Sequence, residues 1–185
     1  MKPLRATGSR GSIVGIMKTV TTEIRLARPA DAPVVAEVHD EAWRAAYRGL
    51  IPGAELEKLI SRRGPGWWEQ AIRKGNRIAL LGFGDEVAGY ANYGRNRAKA
   101  LSYDGEIYEL YLRPKFIGLG LGQKLFESAR LDLGSHGLDS MVIWALSDNE
   151  AAMRFYRALG GKPVARSSET FGPSSLDKTA FGWNA

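Results

Sequence analysis

The chain of 185 residues contains no cysteine, so it can form neither a disulfide nor a thiolate metal site. Histidine is almost as scarce. His39 and His136 are the only two and stand far apart in sequence, which argues against a zinc enzyme. Long apolar runs are missing too: "IALLGFG" and "MVIWAL" fall well short of the roughly 20 residues that cross a bilayer. Acid is sparse in the first 28 residues, where six Lys and Arg face only Glu23, so this segment carries +5 of the net charge of +6. The remainder is nearly neutral, which argues against a nucleic-acid or membrane surface on the folded part. Residues 1–22 are expected to be a basic, disordered leader, and 23–185 a single cytoplasmic domain with one core.

What is present is a regular alternation of two periodicities. "TEIRLARP" reads as a strand, and "ADAPVVAEVHDEAWRAAY" as a helix of period 3.6 that ends at "RGLIPG". Two shorter helices, "AELEKLISRR" and "GWWEQAIRK", flank "GPG". A hairpin follows, "RIALLGF" and "VAGYANYG" around "GDE", and then the strand "GEIYELYLRP". A helix over about 120–133, the strand "DSMVIWAL", the helix "NEAAMRFYRAL" and two closing strands complete the chain. This order predicts an α/β (α+β) fold: a mixed sheet in one layer with helices on both faces.

Between the strand ending at Pro114 and the helix lies "FIGLGLG", with glycines at 118, 120 and 122. A helix N-terminus leaves about four N–H groups unpaired and carries a partial positive charge, and glycines without Cβ atoms let a diphosphate sit against those amides. It is not a Walker loop, since Gln123 stands where the second glycine belongs. Nor is it a dinucleotide G-x-G-x-x-G, since Gln123 and Leu125 occupy the third glycine's place. Standing alone, the run also fits a tight strand-to-helix turn with no ligand.

The later helix is well marked. Ser147 and Glu150 have capping-box spacing and Gly160 stops it. Ala152, Phe155 and Leu159 form the expected core stripe, and Asn149, Met153 and Tyr156 a neighbouring one. In order and spacing, "IRLARPAD", "AW…YRGLIP", "IYELYLRP", the glycine loop and "N-x-x-A-x-x-F-Y-x-x-L-G" resemble the GNAT superfamily of acyl-CoA-dependent N-acetyltransferases over about residues 23–183. That resemblance implies a mostly antiparallel sheet of six to seven strands. It also implies an acetyl-CoA-dependent N-acetyltransferase that uses no metal, and the leading expectation is direct transfer to the primary amine of a small molecule in a ternary complex. The family's loop is usually Q/R-x-x-G-x-G/A, and here Ile117 takes the Gln/Arg position, with Arg113, Lys115 or Lys124 left to supply charge. Gly161 stands where the family commonly has an aromatic.

By the same resemblance, acetyl-CoA would contact Leu110, Tyr111 and Leu112 on the strand, Ile117, Gly118, Leu119, Gly120, Leu121 and Gly122 in the loop, and Asn149, Ala152, Phe155 and Tyr156 on the later helix. Tyr156 matches the tyrosine that protonates the departing sulfur. Glu106 lies eleven residues before the Gln/Arg position, as does a catalytic glutamate of the family's histone-modifying members, and is expected to be the base. Strand alternation predicts that Glu106 and Glu109 face opposite ways, so that only one meets the acceptor. Trp43 and Tyr47, with Trp67 and Trp68 nearby, could line an amine pocket or simply fill the core. The expected partners are acetyl-CoA and an amine acceptor, with no nucleic acid and no membrane; a homodimer is compatible with the sequence. A peptide acceptor bordered by "RNRAKALSYDG", and a non-catalytic acyl-CoA sensor, are the competing readings.

Overall fold

The computed structural model describes residues 20–185. Most of the expected leader therefore lies outside the described residues, although Thr22, counted with it, opens the first strand. In chain order the elements are β1 (Thr22–Leu26), α1 (Ala32–Tyr47), α2 (Gly53–Ser61), α3 (Pro65–Arg73), β2 (Arg77–Phe83), β3 (Glu86–Arg95) and β4 (Gly105–Leu112). They continue with α4 (Leu121–Ser135), β5 (Met141–Leu146), α5 (Glu150–Ala158), β6 (Lys162–Phe171) and β7 (Ser174–Trp183).

The sheet has seven strands in the order β1-β2-β3-β4-β5-β7-β6. Every neighbouring pair is antiparallel except β4–β5, which is parallel because α4 carries the chain back to the same end of the sheet. One face is covered by α4 and α5, whose Leu121, Leu125, Phe126, Ala129, Met153 and Tyr156 pack on Ala91, Ile107, Ile143 and Phe181. On the other face, Ala32, Val35 and Val38 of α1 and Trp68 of α3 pack on Ile78, Leu80 and Tyr90. A third cluster joins α2 to the β5 and β6 ends through Leu56, Ile60, Leu146 and Phe171, with Trp43 and Tyr47 against it.

Two features of the sheet position the site. The β3–β4 register steps from Asn92↔Glu109 to Tyr93↔Ile107, so Tyr108 is an extra residue in β4. Such a bulge bends its strand. In addition, β4 pairs with β5 only over Gly105–Ile107 opposite Met141–Ile143. Beyond that point Trp144–Leu146 pair with β7, and the β5-facing edge of residues 108–112 has no strand partner among the described residues. The sheet opens at its middle where the bulge begins.

Candidate active site

The glycine loop lies at the end of this opening. After a 3-10 turn at Pro114–Phe116 the chain runs extended at Ile117, turns through Gly118 (φ 86°) and Gly120 (φ 74°), and enters α4 at Leu121. Those two glycines are needed for their left-handed backbone, and a Cβ on either would meet nothing within 4 Å. Gly122 differs. It is buried in the first turn of α4, where a Cβ would stand 3.3 Å from Phe155 Cζ and 3.6 Å from Leu112 Cδ1. The expectation that all three glycines clear space for a ligand is therefore corrected: Gly122 serves the packing of α4 on α5. Among the described residues, none of the backbone N–H groups from Gly118 to Gln123 has a protein acceptor, while Lys124 N–H reaches Gly120 C=O at 3.4 Å. Six consecutive donors in an open turn suit a diphosphate. Ile117 and Leu119 project outward and are largely exposed.

Of the three cations near this loop, Arg113 is committed to Glu37, Glu41 and the Val87 carbonyl, and Lys115 to Glu86. Lys124, in the first turn of α4, has no ion-pair partner among the described residues.

Helix α5 is capped by Asn149, whose Oδ1 accepts from Ala152 N–H at 3.1 Å. Ser147 instead hydrogen-bonds the Thr179 hydroxyl, so the expected capping box does not form. The stripes also exchange roles: Met153 and Tyr156 are the buried residues, with Ala152 and Phe155 half-buried beside them. Gly161 makes room for Trp183, since a Cβ there would stand 2.5 Å from the indole, whose Nε1 donates to Leu159 C=O. An aromatic from β7 thus fills the space at the helix end. The Tyr156 ring packs on Phe155, Phe181 and Trp183. Its hydroxyl has no hydrogen bond within the described protein. Burial pushes this phenol well up, and Tyr47, from the other face of the sheet, pushes it further. The phenol therefore keeps its proton at neutral pH, as an acid must.

The two carboxylates of β4 lie on one face, not on two. Gly105 and Ile107 point to the α4 side, as do Leu110 and Leu112, whereas Tyr111 packs with α1 and α3. The extra residue Tyr108 resets the alternation, so Glu106 and Glu109 share the α1–α3 side, and Arg97 senses both. Their surroundings differ. Glu106 is buried under Arg97, accepting from its backbone N–H and from Nη2 at 2.8 Å each. Arg97 also lies over the Tyr108 ring at 3.8 Å, and Asn96 Nδ2 donates to the Leu101 and Tyr103 carbonyls, so the β3–β4 loop is tied down. Glu109 is held by Arg63 Nη1 at 3.0 and 3.2 Å and by Asn92 Nδ2 at 3.3 Å. Burial raises its pKa, against the opposing pull of Arg63 and Asn92. A carboxylate with a raised pKa is better matched to an amine proton.

Around Glu109 stand aromatic side chains. Trp43 packs on His39, Tyr47 and Tyr111, and the hydroxyls of Tyr47 and Tyr111 are 2.6 Å apart. Trp68 is wholly buried against His39 and Tyr90, while Trp67 is partly exposed under the Arg63 guanidinium at 4.1 Å. His39 donates to or accepts from the Tyr90 hydroxyl at 2.8 Å, and burial lowers its pKa to about 3. Sequence reasoning missed Glu109, Arg63, Asn92 and Tyr111 as a group, because only the bulge and the α2–α3 junction bring them together.

Residues 35–160 match the model of the acetyltransferase (GNAT) family. The chain is 30% identical over 160 residues to the uncharacterized N-acetyltransferase YuaI of Bacillus subtilis, covering 86% of this chain and 91% of that one. It is 28% identical over 141 residues to the L-amino acid N-acyltransferase MnaT of Escherichia coli, 74% and 77% of the two chains. In fold it resembles the PaiA N-acetyltransferase from Thermoplasma acidophilum, solved in complex with coenzyme A. There the TM-score is 0.68 at 18% identity, over 85% of this chain and 98% of that one.

Proposed function

Since this chain belongs to the acetyltransferase (GNAT) family, we propose that it transfers the acetyl group of acetyl-CoA to the primary amine of a small molecule, with both bound together. The observation that carries this reading is the run of six N–H groups at residues 118–123 that have no partner among the described residues, set at the mouth of the β4–β5 opening. The residues present fit the cosubstrate: the loop amides suit its diphosphate, and Lys124 provides the positive charge that Ile117 lacks. The bare edge of Tyr108–Leu112 receives the pantetheine and thioester. Phe155 and Ala152 line the α5 side of the channel, with Asn149 at its helix start.

The acceptor enters from the α1–α3 side, where Trp43, Tyr47 and Glu109 lie. Glu109 takes the proton of the incoming amine, helped by its raised pKa. The amine nitrogen forms a bond to the carbonyl carbon, the carbon–sulfur bond breaks, and Tyr156 gives its proton to sulfur. The products are an N-acetyl amine and the free thiol, so atoms and charge balance. In this reading Glu106 anchors the β3–β4 loop. The tied-down loop and the enclosed aromatic surroundings of Glu109 favour a small acceptor over an extended peptide, and the name of the E. coli relative supports an amino-acid-like amine.

A thiol-release screen with acetyl-CoA across amines, amino acids and peptides tests the reaction and its substrate together. Calorimetry on the wild type and Lys124→Ala tests the loop, with affinity expected to fall several-fold in the variant. Release with peptides alone would overturn the small-molecule part. Absence of acetyl-CoA binding would overturn the whole.

A further inference from the structure

Asn92 stands opposite Glu109 in the β3–β4 register, so the two side chains share the α1–α3 face. Asn92 is 4% exposed, and its Nδ2 donates to Glu109 Oε2 at 3.3 Å. The carboxylate decides which end of this amide faces it. Arg63 Nη1 lies 3.0 and 3.2 Å from the two Glu109 oxygens and holds the group as an anion, which accepts hydrogen bonds and donates none. Only the amide NH2 can meet it. Asn92 Oδ1 is thereby turned away from Glu109, to a place where it has no donor among the described residues. A buried amide oxygen is seldom left in that state. His39 Nε2 and the indole nitrogens of Trp43 and Trp68 are buried without partners too, but of these four residues only Asn92 is hydrogen-bonded to Glu109.

An unfilled acceptor beside a carboxylate calls for a group with more than one N–H. A neutral primary amine has two, with one lone pair. One N–H meets Glu109 and the other Asn92 Oδ1, which leaves the lone pair as the free tetrahedral direction. The pair of acceptors is reached from the surface at Arg63, whose side chain is 32% exposed against 7% for that of Glu109. Partly exposed Trp67 lies beneath the same guanidinium.

We propose that Asn92 is a specificity-determining residue, whose Oδ1 accepts the second N–H of the acceptor and restricts the enzyme to primary amines. This rests on the acetyltransferase reading above, with Glu109 as the base. As the nitrogen lone pair bonds to the thioester carbon, Glu109 takes the first N–H proton. The carbon–sulfur bond breaks, and the sulfur takes the proton of Tyr156. The second N–H is never transferred: it stays on Asn92 Oδ1 and becomes the N–H of the product amide. A secondary amine has one N–H, so it leaves either Glu109 or Asn92 unmet, and its extra carbon stands against a buried acceptor.

The test measures thiol release from acetyl-CoA with matched pairs of a primary amine and its N-methyl derivative, alanine and N-methylalanine among them. The wild type is expected to favour the primary member by about 10²-fold or more in kcat/KM. Asn92→Leu, which keeps the volume and removes the oxygen, should cut that ratio at least about tenfold, whereas Asn92→Asp, which keeps an acceptor, should retain most of it. Loss of the Nδ2 contact slows both members of a pair alike and drops out of the ratio, so a merely structural role leaves the ratio unmoved. Calorimetry should find acetyl-CoA affinity unchanged in both variants. Should Asn92→Leu fail to fold, Asn92→Ala is read in the same way. Equal use of both members by the wild type, or an unaltered ratio in the variant without the oxygen, overturns the proposal while leaving the acetyltransferase reading intact. If no primary amine releases thiol, the proposal falls together with the small-molecule reading.

Discussion

Glu106 and Glu109, three positions apart on β4, point to the same side of the sheet because Tyr108 is bulged out of the β3–β4 register. They share a face but not an environment. Glu106 is saturated by Arg97, whereas Glu109 is shared between Arg63 and Asn92 and has a raised pKa.

Glu109→Gln should reduce kcat/KM by about 10²-fold or more, the range of a lost general base. The base works as the carboxylate, so wild-type kcat/KM should rise with pH through the elevated Glu109 pKa, and this rise should vanish in the variant. Glu106→Gln should keep the rise and lose about 1 kcal/mol of stability as the loop loosens. A pH–rate profile with thermal melts separates the two. An acid limb absent from Glu106→Gln and present in Glu109→Gln would reverse the assignment.

Tyr156→Phe removes the proton assigned to the departing sulfur and leaves the ring packing on Phe181 and Trp183 in place. Turnover should fall about 10²-fold with acetyl-CoA affinity nearly constant. Steady-state kinetics with calorimetry measure both. A parallel loss of affinity would indicate a binding role.

Gly120→Val and Gly122→Val should fail in different ways. At Gly120 a side chain meets no neighbour, but φ 74° is strained for an L residue by about 1–2 kcal/mol, and the branched chain covers the loop amides. Acetyl-CoA affinity should drop at least about tenfold. At Gly122 the added chain meets Phe155, and about 1–3 kcal/mol of stability should be lost. Unaltered affinity in Gly120→Val would remove the loop from the cosubstrate site.

His39 makes stability pH-dependent. Its folded pKa is about 3 against an ordinary value of 6.5, because burial disfavours the charged ring. Between those values the unfolded chain binds a proton that the folded chain does not, so this group's contribution is lost as pH falls from 6.5 toward 3. The slope is at most about 1.4 kcal/mol per pH unit. Urea unfolding across that range should show a flatter profile for His39→Gln than for the wild type, and identical slopes would contradict a neutral buried imidazole.

Much of the architecture was legible locally. The apolar spacing of α1 and α4, the turn around "GDE", and the glycine stop at Gly160 are short-range signals, and the elements formed near where they predicted. The glycine loop was legible for the same reason, since left-handed backbone at Gly118 and Gly120 is a property of two single residues. Other site details were not. Asn149 rather than Ser147 caps α5 because Ser147 is drawn to Thr179, a residue on another strand. Met153 and Tyr156, not Ala152 and Phe155, are buried, because the rotation of α5 is set by what β7 presents beneath it.

By itself the sequence determined the order of strands and helices, the glycine turn before α4, and the tyrosine near the end of α5, because capping, periodicity and backbone sterics act over a few residues. The tertiary structure alone decided which face each carboxylate of β4 takes and which hydroxyls meet each other. Glu109 was turned by a pairing slip between β3 and β4, and Tyr47 joins Tyr111 across 64 positions. Such relations come from strand register and helix placement, which no local pattern encodes.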